Sequence, residues 1–166
     1  MAKKKRLGPL DLGFLAAETR ESMMHVGALM QFTPPKDAKP DFLFHLMEEV
    51  RQDASNGAVP PWNLKLRFPD LLTNPLQAWV EDPHFDVEYH VRRSALPVPG
   101  GERELGILVS RLHGHAIDFH RPPWEVHFIE GLPEGRFALY FKVHHALIDG
   151  YSGMRLLSRS LSAEAD

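Results

Sequence analysis

The sequence predicts an α/β fold: a mixed β-sheet with helices packed against it. Three observations carry this. Residues 24–32 and 136–143 alternate apolar and polar positions at the two-residue period of a strand. Residues 41–52 and 105–116 repeat their apolar positions at three and four, the period of a helix. The two kinds of segment interleave along the chain, the order in which helices come to lie on a sheet.

Taken in order, residues 9–20 open on Pro9 and place Leu12, Leu15 and Ala16 on one face, with Phe14 beside them. This reads as a helix whose first turn Asp11 caps. A strand over 24–32 sets Met24, Val26, Ala28, Met30 and Phe32 on one side and His25, Gly27, Leu29 and Gln31 on the other. Pro34-Pro35 ends it, and His25, off the more apolar face, reads as a hydrogen-bonded structural histidine. The clearest amphipathic helix is 41–52, with Phe42, Leu43, Leu46, Met47 and Val50 in one stripe and Glu48, Glu49 and Arg51 on the wet side. Residues 55–61 form a turn-rich link. A strand is expected over 62–68, through Trp62, Leu64, Leu66 and Phe68. Prolines make 69–83 irregular, with Trp79 as its anchor. Another strand is expected over 85–92, through Phe85, Val87, Tyr89 and Val91. After a turn at 97–101, Leu105, Leu108, Val109, Leu112 and Ala116 mark a second amphipathic helix, with Arg103 and Arg111 outward. Residues 124–130 and 136–143 then read as paired strands joined by Gly131-Leu132-Pro133-Glu134-Gly135. After Gly150, Met154, Leu157 and Leu161 mark a short helix.

A length of 166 residues suits one domain with a sizeable core, and there is no internal repeat. With 43% hydrophobic and 25% charged residues, the composition is that of a soluble globular protein. A net charge of -3 and a pI near 6.4 leave nothing that argues for nucleic acid as a partner. The absence of cysteine excludes disulfides and thiolate chemistry and is compatible with a reducing compartment. No run approaches the length that spans a bilayer, and the start lacks the apolar core of a secretory signal. Lys3-Lys4-Lys5-Arg6 reads as a solvated terminus. Its sharper alternative is attraction to an anionic membrane surface, at about 1 kcal/mol per basic residue.

The chemistry concentrates at Val143-His144-His145-Ala146-Leu147-Ile148-Asp149-Gly150. Phe137, Leu139, Phe141 and Val143 share one strand face and Ala138, Tyr140 and Lys142 the other. If the strand continues, His145 falls on the apolar face and His144 opposite it. Asp149 and Gly150 then form a strand-to-helix corner. An imidazole at the end of a buried face sits in a low-dielectric place where its basicity is tuned. Three readings compete for His144, His145 and Asp149. A metal site fits poorly, because adjacent strand residues point apart and the spacing is not HExxH. A structural histidine pair is the plainest reading. General-base catalysis fits best, a neutral imidazole taking a proton from a hydroxyl or thiol that attacks a carbonyl. No serine lies in a nucleophile elbow and there is no cysteine, so direct transfer is simpler than a covalent acyl-enzyme.

His144-His145-Ala146-Leu147-Ile148-Asp149-Gly150 resembles the HHxxxDG motif of the coenzyme-A-dependent acyltransferase superfamily. More of the chain resembles one branch, the bacterial wax ester synthase/diacylglycerol acyltransferases. The similar blocks are Pro9-Leu10-Asp11 with Phe14-Leu15 and Glu18, then Met24-His25-Val26-Gly27, then Phe85 to Val91. Leu96-Pro97, Pro99-Gly100-Gly101 and Leu105 follow, then Arg121-Pro122-Pro123-Trp124-Glu125 and Ile129-Glu130-Gly131-Leu132. They occur in order from Pro9 to about Leu161. Met23, Ala28 and Pro123 depart from the family's usual proline, glycine and leucine.

This resemblance implies the N-terminal half of a chloramphenicol-acetyltransferase-like two-domain fold, with the C-terminal half absent from these residues. It implies transfer of a long acyl group from acyl-CoA to a fatty alcohol or diacylglycerol, with no cofactor beyond acyl-CoA as co-substrate and no metal. The implied catalytic set is His145, His144 and Asp149. Within it His145 is the general base, His144 is structural, and Asp149 organises the corner through a buried arginine that the sequence does not identify. Gly150, Pro122 and Trp124 have structural or substrate-access roles. The implied location is cytoplasmic, with peripheral contact at the inner membrane or lipid droplets. Two alternatives stand beside it: a condensation-type acyltransferase of peptide synthetases, and a non-catalytic half-domain acting as a scaffold.

Overall fold

A computed structural model gives the structure of residues 5–148. Asp149, Gly150 and the helix expected through Met154, Leu157 and Leu161 lie outside the described residues. In chain order the elements are β1 (Lys5–Arg6), α1 (Pro9–Ala17), β2 (His25–Phe32), α2 (Phe42–Ser55), β3 (Leu64–Leu66), β4 (Ala78–Glu81), α3 (Val87–His90), β5 (Val91–Ala95), α4 (Glu102–His113), β6 (Trp124–Glu130) and β7 (Phe137–His144).

The main sheet has the strand order β2–β7–β6–β5. β2 and β6 run antiparallel to the central β7, while β5 runs parallel to β6. The sheet is therefore mixed, as expected. A parallel neighbour requires a crossover, and α4 supplies it between β5 and β6. The alternation along β7 feeds two cores. Ala138 and Tyr140, with Ile129, pack under Leu105 and Leu108 of α4. Phe137 and Val143, with Trp124 and Phe128, pack with Leu43 and Met47 of α2. Helices cover both faces, so the end of β7 is held from two sides.

The helices at 9–20, 41–52 and 105–116 and the strands at 24–32, 124–130 and 136–143 form where expected, with ends displaced by a few residues. Asp11 caps α1 as expected, its Oδ2 accepting the Gly8 amide at 2.8 Å. His25 is the hydrogen-bonded histidine expected, its Nε2 lying 2.8 Å from the His113 carbonyl oxygen.

Three expectations are corrected. Residues 85–92 do not form one strand. The Asp86 carboxylate accepts the Glu88 and Tyr89 amides and caps one helical turn, α3, and the strand begins only at Val91. The strand at 62–68 shortens to Leu64–Leu66 and lies outside the main sheet. It joins a three-stranded sheet ordered β1–β4–β3. The stretch 69–83 contains a strand after all, β4, and the backbone of Lys5 and Arg6 pairs with it at Trp79 and Ala78. Thus the basic run is not wholly a solvated terminus. Trp79 is the anchor expected, only 1% exposed.

Gly27 shows how tightly α4 is seated. Tyr140 leans across Gly27 so that its hydroxyl lies 2.7 Å from His113 Nδ1. A Cβ on residue 27 would meet the Tyr140 hydroxyl oxygen at 2.7 Å and its Cε2 at 2.8 Å. Gly27→Ala should therefore destabilise by about 1–3 kcal/mol through overpacking. Urea unfolding checks this, and the Gly27→Ala/Tyr140→Phe pair should remain unfavourable because the ring itself is in the way.

Candidate active site

β7 stops at His144, so alternation does not carry His145 onto the apolar strand face. Residues 145–148 turn instead. Four consecutive amides at this corner each find an acceptor. His144 N–H donates to the Pro123 carbonyl at 3.0 Å, and His145 N–H donates to the Met24 carbonyl at 2.9 Å. Ala146 N–H donates to the His144 ring Nδ1 at 3.1 Å, and Leu147 N–H donates to the His144 carbonyl at 3.0 Å. A backbone with every amide engaged inside the protein is strongly over-determined. Ala146, Leu147 and Ile148 are buried in the core on the α2 side and fix the corner further.

The two histidines differ sharply. His144 is fully buried. Its Nδ1 accepts from Ala146, so in the neutral ring the proton sits on Nε2, which donates to Glu18 Oε2 at 3.3 Å. Phe119 meets the ring edge-on at 5.0 Å. Burial, with the His25 and His145 rings nearby, pushes His144 down to about 3. It is neutral, with both nitrogens occupied. His145 is half-buried instead. Its ring stacks on Phe14 of α1, with centroids 4.6 Å apart and planes 11° from parallel. Its Nδ1 is enclosed and meets no hydrogen-bond partner among the described residues.

The depressed His144 value sets a pH dependence. An unfolded chain takes up a proton on this ring near the ordinary value of 6.5, whereas the folded chain does so only near 3. Between those values the unfolded state holds more protons, so stability falls as pH falls through this window. His144→Gln, which keeps a donor toward Glu18, should flatten the decline in Tm between pH 6.5 and pH 4. An identical slope in both proteins would contradict the buried neutral assignment.

Glu18 and Phe14 were not expected at the site. Glu18 lies just past the end of α1, and its Oε2 accepts both the His144 ring and the Met24 amide. Burial pushes the carboxyl up, against the Met24 hydrogen bond that pulls it down. The signal for both residues was only their place in the opening block, since Glu18 and His144 are 126 positions apart. Pro122 and Trp124 lie beside the corner. Pro122 is buried, and Trp124 pairs in register with Val143. The Trp124 indole N–H donates to the Trp62 carbonyl at 2.7 Å, and its ring stacks on His90 at 4.5 Å. Asp149 and Gly150 are outside the described residues. Among the described residues no group of three or more His, Asp or Glu side chains converges as a metal site requires.

The wax ester synthase/diacylglycerol acyltransferase catalytic domain model matches residues 7–166. The chain belongs to that family. A putative diacylglycerol O-acyltransferase of Mycobacterium tuberculosis is 60% identical over 160 residues, covering 96% of this chain and 32% of that protein. The O-acyltransferase WSD of Acinetobacter baylyi is 44% identical over 156 residues, covering 94% of this chain and 32% of that protein. The chain thus spans about a third of the length of these curated relatives. The solved wax ester synthase/diacylglycerol acyltransferase of Marinobacter aquaeolei superposes with a TM-score of 0.87 at 44% identity, over 96% of this chain and 38% of that one. The first condensation domain of the calcium-dependent antibiotic synthetase shares the fold, with a TM-score of 0.64 at 15% identity over 98% of this chain and 41% of that one. The expected fold and family are therefore both met. Pro123, where the resemblance leads one to expect leucine, is buried, and its carbonyl takes the His144 amide.

Proposed function

We propose that this chain carries the histidine-bearing half of an acyl-CoA-dependent O-acyltransferase, which moves a long acyl group to a fatty alcohol or a diacylglycerol. The observation that carries the reading is the division between the two histidines. His144 has both ring nitrogens engaged and is held neutral at about 3, so it is unfit to accept a proton. His145 is the half-buried ring, oriented by stacking on Phe14 and by the hydrogen bond from its backbone N–H to the Met24 carbonyl.

In this reading His145 Nε2 removes the proton of the acceptor hydroxyl as its oxygen attacks the thioester carbonyl. A C–O bond forms and the carbonyl becomes a tetrahedral oxyanion. The oxyanion collapses, the C–S bond breaks, and the imidazolium returns its proton to the departing thiolate. The products are an ester and free CoA, and the histidine is regenerated without a covalent acyl-enzyme. Asp149 and Gly150 are assigned the organising and access roles that the motif implies, and Pro122 and Trp124 shape the core behind the corner. Acyl-CoA is the co-substrate, and the chemistry needs no further cofactor.

A second half of the same enzyme would close the site from the open side of His145, since an oxyanion is stabilised best where water is excluded. Contact with a membrane or lipid-droplet surface is proposed as peripheral, as among the described residues no helix is long and apolar enough to cross a membrane. The test is to give the intact protein palmitoyl-CoA with hexadecanol or dipalmitoylglycerol and identify the product by mass spectrometry. Wax ester or triacylglycerol is expected. Peptide-bond formation from a carrier-protein thioester, or no transfer with any acceptor, would favour the condensation-type or scaffold alternative.

A further inference from the structure

Two of the hydrogen-bond routes that frame His145 lead back to one carboxylate oxygen. Glu18 Oε2 accepts the Met24 amide, and the Met24 carbonyl accepts the His145 amide. The same Oε2 accepts His144 Nε2–H at 3.3 Å. That contact selects the tautomer whose free Nδ1 accepts the Ala146 amide at 3.1 Å, on the far side of His145. One route therefore holds the peptide before His145 and the other the peptide after it. The Glu18 side chain is 9% exposed and the His144 side chain not at all, so water does not readily substitute for either partner. Phe14, which stacks on the His145 ring, sits on the helix that Glu18 immediately follows.

We propose that Glu18 is a positioning residue for acyl transfer: its Oε2 fixes the His144 tautomer and the Met24 backbone, and through them the placement of His145. This rests on the reading of His145 as the base. Both donors converge on a single oxygen, so the requirement is an acceptor and not a charge. A glutamine carbonyl oxygen satisfies it and an alanine does not. Misplacing a reacting group by about 1 Å costs on the order of 100-fold in rate. The loss should fall on kcat, since Glu18 acts through its hydrogen bonds to His144 and Met24.

The experiment measures Glu18→Gln and Glu18→Ala in the intact protein by steady-state kinetics, together with nitrogen-15 NMR of the histidine rings. Glu18→Ala is expected to lose about 100-fold in kcat with KM within threefold, and Glu18→Gln to stay within about fivefold of wild type. The NMR spectrum of the wild type should show one ring in the Nε2–H tautomer that stays neutral down to pH 4, retained in Glu18→Gln. That ring is assigned by its loss in His144→Gln. Full kcat in Glu18→Ala, or equal damage in both Glu18 variants, would overturn the proposal. If Glu18→Ala does not fold, the glutamine variant and the NMR decide, and an Nδ1–H tautomer at His144 would refute it. The NMR does not depend on turnover. Absence of acyl transfer in the wild type would overturn the reading of His145, and with it the catalytic consequence of Glu18, while the tautomer is tested on its own.

Discussion

Replacing His145 by alanine should lower turnover of the intact protein about 100- to 10,000-fold without unfolding it, the range that a general base contributes. The structure makes the variant structurally mild. The amide of residue 145 keeps its bond to Met24, and the corner's other three amides do not use the His145 ring. What is lost is the stacking on Phe14, an aromatic contact worth about 0.5–1.5 kcal/mol, and the half-buried imidazole itself. Circular dichroism should be unchanged. His144→Ala should behave in the opposite sense. It strips the Ala146 amide of its acceptor and leaves Glu18 without the ring, so folding should suffer before chemistry does.

The second large effect lies three residues upstream of His145. Lys142 is 1% exposed, and its three N–H donors meet three acceptors: the Leu112 carbonyl at 2.7 Å, the His115 carbonyl at 2.9 Å and Glu125 Oε1 at 2.7 Å. It ties β7 to β6 and to the end of α4. Burial alone would push the Glu125 carboxyl up, but the His127 ring and the Lys142 ammonium outweigh it and hold it at about 2. Lys142→Ala should cost about 3–5 kcal/mol, because the largely enclosed Glu125 carboxylate loses its nearest cation and keeps only His127 at 3.7 Å and Arg92 at 3.8 Å. Lys142→Met/Glu125→Gln should recover much of that loss. The pH dependence follows from the sign of the shift. A carboxylate held below its ordinary 4.5 contributes stability that is present above pH 4.5 and lost as pH falls toward 2. Lys142→Ala should shrink that acid-side loss. Denaturant unfolding at pH 7 and pH 3.5 measures both effects. A cost below 1 kcal/mol at pH 7 would show that Lys142 is not what anchors α4 to β7.

Much of the fold could be read from periodicity, because β6, β7, α2 and α4 each present an apolar face to a covered core, and β2 keeps the two-residue period although only its first residue, His25, is buried. Residues 85–92 could not, because a two-residue period survives across Asp86 even though its carboxylate caps a helical turn. β4 was hidden by prolines on both sides, and its partners β1 and β3 are too short to show a period. The site divides along the same line. His144 and His145 stand out in sequence because they are adjacent and close a strand. What tells them apart is long-range: Phe14 and Glu18 reach the corner from α1, Met24 from the start of β2 and Pro123 from the start of β6. No local pattern in the motif encodes those contacts. A residue whose function is to accept two hydrogen bonds, as Glu18 does, carries no spacing signature of its own.

CoA release from palmitoyl-CoA by the intact protein, with and without hexadecanol or dipalmitoylglycerol, beside folded His145→Ala, tests His145 as the base of acyl transfer. Release should depend on the acceptor and fall by at least about 100-fold in the variant. Acceptor-independent release, or a folded His145→Ala within threefold of wild type, would contradict it.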